Sequence, residues 1–376
     1  MKKLLYRKFL IDNLKIFSTI TMSIGLIVWV IQAVGFLDFM TEDGHGLTVY
    51  FYYTALNFPK IIHRIFPFVF FISLFYQINN YELKNELIIF WTAGVSKFQF
   101  IKIILIFSIV FFTFQIILGA YVSPAGQDKA RNFIRNSNVD FFPSLFQEGK
   151  FIDVLQNLSI FIESEEPDGI FNNIFLKETN KKSNNMSKVI YAKKGSLKNT
   201  EGKRYLELFD GNVVNVDGFK TNNFSFDKID FDLNQYGSKS TSFPKIQELN
   251  NKLLIKCLSY NYRDKANELE SEIFTCSKNS IKDVKEEVFK RFYNPLYLIL
   301  LALIACMIFF ISKEGKKFIF YKYIIFLTGF IVIVISEVSL RLASNNIFGL
   351  YFFITFPLFA ISSLFIFSYY KSNKNS

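Results

Sequence analysis

The sequence predicts a membrane protein made mainly of α-helices, with six spanning helices in two groups of three and one β-rich domain between the groups. Three observations support this fold class. The 376 residues are 51% hydrophobic and 18% aromatic, whereas only 20% are charged. The charged residues are clustered, and long apolar tracts lie between the clusters. The middle of the chain instead shows short alternating stretches. A soluble enzyme normally carries more charge and fewer aromatic side chains.

The apolar tracts define six predicted spans. A bilayer core of about 30 Å needs roughly 20 apolar residues of helix. The tracts that satisfy this length are residues 16–37, 65–81, 103–127, 292–312, 323–340 and 342–370. The first tract follows basic residues and could be a signal peptide. Its apolar run is longer than usual and no small-x-small site precedes Asp38, so we expect a retained span.

The distribution of lysine and arginine predicts the orientation of the spans. Short loops rich in these residues stay preferentially in the cytoplasm. With the N-terminus inside, the cytoplasmic pieces carry +10 of the formal net charge of +11, and these pieces are residues 1–15, 82–102, 313–322 and 371–376. We therefore expect both termini in the cytoplasm. Residues 1–127 and 291–376 are the predicted membrane domains, and residues 128–290 form a large domain outside.

The outer domain begins with a series of predicted strands. They are residues 151–155, 158–163, 170–177, 188–192, 205–209, 212–216 and 224–233. Turn signals such as Pro167-Asp168-Gly169 and Asp210-Gly211 separate them. About seven closely spaced strands predict a sandwich or a β-jellyroll-like domain.

A connecting helix is predicted between the strands and the fourth span. Residues 246–289 lack turn signals, and Glu287 and Arg291 are four residues apart, which suits an ion pair on a helix face. That pair lies just above the bilayer or on an ordinary solvated face. Cys257 and Cys276 both fall outside the membrane, where an oxidising compartment would allow a disulfide, although pairing does not follow from sequence alone.

Motifs for enzymatic chemistry are absent from the sequence. There is no phosphate-binding G-x-x-x-x-G-K-[ST] loop, no H-E-x-x-H and no C-x-x-C. Metal ligands come in sets of three or four, so the two histidines, His45 and His63, do not predict a metal site. We expect no cofactor. The basic surplus is divided among short loops, which disfavours nucleic acid and favours anionic lipid.

Charged side chains at the outer ends of the spans suggest contact with a lipid head group. The residues concerned are Lys60, His63, Arg64, Arg291 and Arg341. Lysine and arginine at span ends also serve as simple interfacial anchors, which is the alternative interpretation. Glu337 and Arg341, one turn apart, could satisfy each other.

Several segments resemble one known family. Residues 85–96, Asn-Glu-Leu-Ile-Ile-Phe-Trp-Thr-Ala-Gly-Val-Ser, are similar to its S-E-L-x-x-x-R-A-A-G-x-S segment, and residues 287–296 resemble its E-L-x-x-R…P-L motif. The order of three helices, a β domain and three helices also matches. The family is YjgP/YjgQ, the LptF and LptG permease subunits of the lipopolysaccharide export ABC transporter. Residues 28–33, 147–151 and 168–170 resemble its LptF branch more than its LptG branch.

The resemblance implies a multi-pass subunit of the bacterial inner membrane that moves lipopolysaccharide and is not itself an enzyme. It also implies three protein partners: an LptG-like permease subunit, an LptB-like ATPase dimer and an LptC-like periplasmic protein. Two residues depart from the family pattern. Asn85 replaces a serine and Trp91 replaces a basic residue, so contacts of that basic residue cannot be transferred.

The same resemblance predicts a cytoplasmic coupling helix at about residues 81–100. Its expected contacts with the ATPase are Glu86, Leu87, Phe90, Trp91 and Gly94. Two other functions remain open from the residues alone. One is a membrane-anchored receptor or sensor, which would need a partner protein to supply its intracellular output domain. The other is an enzyme acting on lipid head groups, for which Glu337 and Arg341 are poor catalytic candidates.

Overall fold

The computed structural model describes residues 2–37, 47–136, 148–155, 158–166, 169–179, 186–200, 203–217, 220–233, 244–261, 270–271, 274–276, 280–311, 315 and 317–374. Its contacts divide the chain into two units. A helical unit contains Met1–Gln32, Ala55–Lys129 and Lys245–Ser376, and a second unit contains Ala33–Thr54 and Ala130–Pro244.

Within the described residues, six helical segments are long and apolar enough to cross a membrane. In chain order, spans 1 to 6 are Lys2–Gly35, Leu47–Leu83, Lys97–Ile134, Ser280–Phe310, Phe318–Asn345 and Ile347–Asn373. The prediction of a helical membrane protein with six spans and a β domain between two groups of three is confirmed. The first five helical segments are longer than the predicted apolar tracts, because each of these segments also includes polar residues that flank its tract.

The spans are built from the following elements. The α-helices are α1 Lys2–Gly35, α2 Leu47–Leu56, α3 Phe58–Leu83, α4 Glu86–Thr92, α5 Lys97–Ile117, α6 Ser123–Asn136, α7 Asn251–Asn261, α8 Ser280–Phe292, α9 Tyr297–Cys306, α10 Phe318–Asn345 and α11 Ile347–Lys374. A π-helical turn, Leu118–Val122, joins α5 to α6, and 3₁₀ turns lie at Ile246–Glu248, Asn294–Leu296 and Met307–Phe310.

Span 4 forms the centre of the helical unit. Of its most apolar window, 72% is buried, compared with 17%, 17% and 11% for spans 1, 5 and 6. In α3, Phe66, Phe70 and Leu74 are buried at a spacing of four residues, so one face of that helix turns inward. The outer faces of spans 1, 5 and 6 are therefore available to lipid or to another subunit.

Helices α1 and α3 run in opposite directions. Near the start of α1, Phe9 packs edge-on against Tyr81 at the end of α3, with ring centroids 5.3 Å apart. Near the end of α1, Gly25 faces the ring of Phe58, the first residue of α3. The N-terminal ends of the two helices therefore lie at opposite ends of the bundle.

The second unit contains one six-stranded antiparallel sheet among the described residues. Its strands are β1 Phe151–Leu155, β2 Leu158–Glu165, β3 Ile170–Thr179, β4 Met186–Thr200, β5 Lys203–Asp217 and β6 Lys220–Asp232, in that spatial order. Each strand pairs with the next along the chain, which is a meander. The two strands predicted at 205–209 and 212–216 are a single strand, because Gly211 remains paired with both β4 and β6.

Adjacent strands β3, β4 and β5 all reverse the side that faces the core; in β4, Ala192 is buried before the reversal and Gly195 after it. In β5, Leu208 is buried before the reversal and Val213 after it, which breaks the alternation of a regular strand. Between them Asp210 has φ 49°, and Asn173 in β3 has φ 48°. Asparagine and aspartate tolerate this left-handed conformation better than most residues. Pairing with β4 keeps one register on both sides of each reversal.

The single helix predicted over residues 246–289 is wrong. Two helices, α7 and α8, occupy the ends of this region, and β7 Glu270–Ser271 pairs with β8 Phe274–Thr275 between them. Cys257 and Cys276 form a disulfide, with their Cα atoms 5.9 Å apart. Cys257 is buried beside Leu254 and Val284, so the bridge ties Cys276, directly after β8, to the small core shared by α7 and α8.

Thiol labelling checks this bridge. In protein purified without reductant, we expect a maleimide added under denaturing conditions to label Cys306 alone, because Cys306 is the free cysteine of the described chain. Labelling after reduction should reach all three cysteines. Mass spectrometry of the labelled protein counts the adducts. Three adducts without reduction would contradict the disulfide.

Candidate functional site

The segment predicted as one coupling helix at about 81–100 consists of three pieces. Helix α3 ends at Leu83, α4 covers only Glu86–Thr92, and α5 begins at Lys97. Asn85 has φ 59°, and this left-handed conformation interrupts the helix between α3 and α4. An α-helix of seven residues is only about two turns long. The prediction of one helix over about residues 81–100 is therefore wrong, and α4 is the short helix that connects span 2 to span 3.

Gly94 and Ser96 separate α4 from α5. Gly94 has φ 74°, a conformation that glycine adopts readily, and its N–H donates to the carbonyl of Trp91 at 3.0 Å. The Ser96 hydroxyl accepts from the N–H of Gln99 at 3.2 Å, and the Gln99 side chain accepts from the N–H of Ser96. This reciprocal pair is a capping box. Gly94 thus ends one helix just before Ser96 starts the next.

The apolar residues of α4 divide between an inner and an outer face. Leu87 and Phe90 are only 1% and 3% exposed, and Phe90 packs edge-on against Phe100. They cannot reach a partner in this conformation, which corrects their predicted role as ATPase contacts. Ile88 and Ile89 are each 53% exposed. The sequence analysis missed both, because four consecutive apolar residues show no helical period.

Two lysines tie this region to other spans. The Lys2 ammonium at the start of α1 donates to the carbonyl of Gly94 at 2.8 Å. The Lys97 ammonium donates to the carbonyl of Phe309, at the end of span 4, at 2.7 Å. Trp91 adds an edge-on contact with the Phe309 ring. A displacement of α4 would therefore be transmitted to both span 1 and span 4.

Four cations gather where α3 begins. The ammonium of Lys60 has Arg64, Lys245 and Lys290 as like-charged neighbours and Glu248 as an acidic neighbour. We call Lys60, Arg64, Lys245 and Lys290 the basic cluster. The sequence analysis named Lys60 and Arg64 as head-group contacts but missed Lys245, which is distant in sequence. No local pattern links it to the others.

Arg291 does not belong to the basic cluster. Its side chain is 0% exposed and forms an ion pair with Glu287, with Nε to Oε1 at 2.8 Å. Its other nitrogens donate to the carbonyls of Gln247 and Leu249 and to Oδ1 of Asn251. The prediction that Arg291 meets a lipid head group is therefore wrong for this conformation, because protein acceptors occupy all three nitrogens. The alternative of a solvated face for the Glu287–Arg291 pair is wrong for the same reason.

His63 lies between the basic cluster and Arg291. Its electrostatic neighbours are Lys290, Glu287 and Arg291. A Cβ at Gly119, in the π-helical turn, would overlap the imidazole, so glycine allows α3 and this turn to approach closely. The side-chain nitrogen of Asn251 donates to the carbonyl of Ala120 in the same turn at 2.6 Å. His63 thus packs against structural groups more than it faces a ligand.

Arg341 is the remaining predicted head-group contact. It is exposed on α10, as is Glu337 one turn earlier. Arg341 is absent from the described electrostatic neighbours of both Lys60 and His63. The structure therefore brings Lys60 and Arg64 together and leaves Arg341 apart from them.

Comparison with known proteins identifies the family. The model of the lipopolysaccharide export system permease family LptF/LptG matches residues 8–371, nearly the whole chain. The chain belongs to the LptF/LptG family. It is therefore a multi-pass inner-membrane protein of a lipopolysaccharide export permease, and membership implies a partner within the export complex.

Individual relatives are similar to the chain over different lengths. The protein RP871 of Rickettsia prowazekii is 26% identical over 361 residues, which cover 93% of this chain and 95% of that protein. LptG of Escherichia coli K12 is 24% identical over 121 residues, covering 31% of this chain and 34% of that protein. Membership is shown for the family as a whole, and assignment to the LptF branch stays a prediction.

Substitution of Arg291 tests the structural role of its guanidinium. Substituting Arg291→Met leaves Glu287 and the acceptors of residues 247–251 without their donor. Removing one partner of a buried ion pair typically costs about 3–5 kcal/mol. We expect a clear fall in the apparent melting temperature in detergent.

Glu287→Gln is the matched variant and should lower the melting temperature less, because it retains a hydrogen-bond acceptor and Glu287 is 17% exposed. An Arg291→Met protein as stable as the wild type would contradict the structural role of this guanidinium.

Proposed function

We propose that this chain is the transmembrane subunit that takes lipopolysaccharide from the inner membrane and passes it to a periplasmic bridge, with ATP hydrolysed by a separate subunit. The observation that carries the proposal is the exposed isoleucine pair on α4, a helix whose Phe90 contacts Tyr6 of span 1 and whose Trp91 contacts Phe309 of span 4. Both termini and α4 then lie in the cytoplasm, and the β domain lies in the periplasm.

The movement of the ATPase is transmitted to the permease subunit through α4. Ile88 and Ile89 present an apolar surface that fits a groove on an LptB-like ATPase, a common way for one protein to hold a helix of another. Half-buried Glu86, in the first turn, supplies an ion pair at the edge of this contact. Movement of the ATPase reaches span 1 through Lys2 and span 4 through Lys97 and Trp91.

The basic cluster receives the anionic head group. It lies at the N-terminal end of α3, which is the periplasmic end of the bundle in this orientation. Lysine and arginine form strong charge-assisted bonds with phosphate. Lys60 is only half-buried and has three cationic neighbours but one acidic neighbour, so an added anion would relieve repulsion. Exposed Arg341 lies near the C-terminal end of α10, which is also periplasmic in this orientation. It is a separate head-group contact.

Two surfaces remain for the protein partners. The exposed faces of spans 1, 5 and 6 fit an LptG-like subunit, which would enclose the acyl chains between the two permeases. In the second unit, β1 and β6 are the outermost strands of the sheet. An open edge can pair with a strand of an LptC-like protein by β-augmentation.

Substitutions on α4 test the coupling step. Ile88→Ser with Ile89→Ser removes the outer apolar surface while leaving the buried Leu87 and Phe90 in place. We expect at least a tenfold loss of ATPase recovered with the affinity-tagged chain, and loss of complementation in a depletion strain. Glu86→Lys should weaken both readouts less.

Ile106→Ser is the matched control, because Ile106 is 63% exposed on α5 but lies away from α4 in sequence. Full recovery of the ATPase with the double α4 variant would refute this docking surface. A recovered complex that contains the ATPase, but whose ATP hydrolysis is not stimulated by lipopolysaccharide, would instead favour the sensor interpretation.

Substitutions in the basic cluster test head-group binding separately. Alanine at Lys60, Lys245 and Lys290 removes three of its four cations. A net hydrogen bond to a charged group is worth about 1.5–3 kcal/mol, so crosslinking to lipopolysaccharide should fall at least tenfold. Lys282→Ala, on the exposed side of α8, is the control of equal charge chemistry. Unchanged crosslinking and export in the triple variant would exclude the cluster from head-group binding.

A further inference from the structure

A groove runs along the N-terminal half of α1, away from the basic cluster. Its volume is about 440 Å³, and α1 lines it with Lys3, Arg7, Ile11 and Leu14 while α5 contributes Phe107. These α1 positions are spaced by three or four residues and therefore share one face of the helix. Lys3 and Arg7, both exposed, stand at one end, and the rest of the lining is apolar apart from the hydroxyl of Tyr6.

A second groove continues the first toward the other end of the bundle. It has a volume of about 480 Å³, shares Leu14 with the first, and contains Phe66 and Phe111 among its walls. The hydroxyl of Thr21, which also lines it, donates to the carbonyl of Phe17 at 2.7 Å and needs no external partner. With a rise of about 1.5 Å per residue, Arg7 lies about 10 Å along the axis from Leu14. Cations at one end are thus followed by a mainly apolar floor, in which Ser18 and Thr21 are the polar residues.

We propose that this groove binds one anionic glycerophospholipid in the leaflet that contains the N-terminus. Its phosphate would lie between Lys3 and Arg7, which are one helical turn apart, and an acyl chain would follow the floor past Leu14. The order of charge and apolar surface in the groove is the order of head group and acyl chain in such a lipid. The proposal does not depend on transport of lipopolysaccharide.

The site is distinct from the basic cluster. Because α1 and α3 are antiparallel, Lys3 and Arg7 lie at the opposite end of the bundle from Lys60 and Arg64. A lipid held here therefore has its head group in the opposite leaflet from the proposed cargo. It would stabilise the junction of α1 with α5, close to the contact between Lys2 and Gly94.

A phospholipid fits the charge pattern better than a partner helix does. The cytoplasmic flank of a spanning helix usually carries its own lysines and arginines, which Lys3 and Arg7 would repel. A phosphate instead gains charge-assisted bonds from both side chains. Basic residues at a membrane surface also attract anionic lipid.

Native mass spectrometry tests the proposal on the full-length chain, purified in mild detergent with whatever subunits remain bound. Phosphatidylglycerol and phosphatidylcholine with identical acyl chains are titrated, and the first adduct is quantified. We expect preference for phosphatidylglycerol, and a loss of about fivefold in its affinity for each of Lys3→Ala and Arg7→Ala. Leu14→Trp, which fills the junction of the grooves, should reduce binding of both lipids.

Lys8→Ala is the matched control, since exposed Lys8 follows Arg7 but does not line the groove. It should change affinity less than twofold. Equal losses in Lys8→Ala and Arg7→Ala, or equal binding of the two lipids, would overturn a specific site. Displacement by millimolar inorganic phosphate would reduce it to an anion site, and a photocrosslinker at Leu14 that captures a co-purified spanning protein instead of lipid would make it a protein interface. Unchanged size-exclusion profiles of all variants show that folding is retained.

Discussion

The hydrogen bonding of the buried Arg291 guanidinium is the interaction that organises one end of the helical unit. Placing an ion in a low-dielectric interior costs several kcal/mol, and only complete hydrogen bonding offsets that cost. Here the carboxylate of Glu287, two backbone carbonyls and Asn251 supply the acceptors. Residues 247–251 are thereby fixed against α8. Asn251 extends the network to the π-helical turn of span 3 through the carbonyl of Ala120.

This network determines where the neighbouring charges stand. Lys245 and Glu248 precede or lie within the segment that Arg291 holds, and both are electrostatic neighbours of Lys60. The basic cluster is thus assembled from three parts of the chain around one buried ion pair. At the opposite end, Lys2 and Lys97 bond the junction between α4 and α5 to spans 1 and 4, and Trp91 of α4 contacts Phe309. Central span 4 connects the two ends, and nearly every residue of α9 within it is buried.

The sequence predicts those features that depend on local composition. The six spans follow from uninterrupted apolar tracts, and the Glu287–Arg291 pair follows from helical spacing. The burial of Arg291 could not be predicted, since two of its acceptors are backbone carbonyls far along the chain. The inner and outer faces of α4 were equally inaccessible, because Leu87, Ile88, Ile89 and Phe90 are all apolar and only tertiary packing distinguishes them.

Errors outside the spans have a similar origin. Asp210-Gly211 has the composition of a turn, yet neighbouring strands on both sides continue to pair with Gly211, so β5 runs through it. The region after residue 245 lacks turn residues, yet a disulfide and a two-stranded hairpin interrupt it. In both places pairing across the chain outweighed local preference.

The reversals at Asn173 and Asp210 limit how this sheet can change length during evolution. Each reversal restores inward orientation for the apolar residues that follow it, so the two halves of β5 depend on the single left-handed residue between them. Adding or deleting one residue in either half would turn that half's apolar side chains toward solvent. Tolerated insertions should therefore accumulate in the hairpin connections, and natural relatives of different length should keep the strands between them intact.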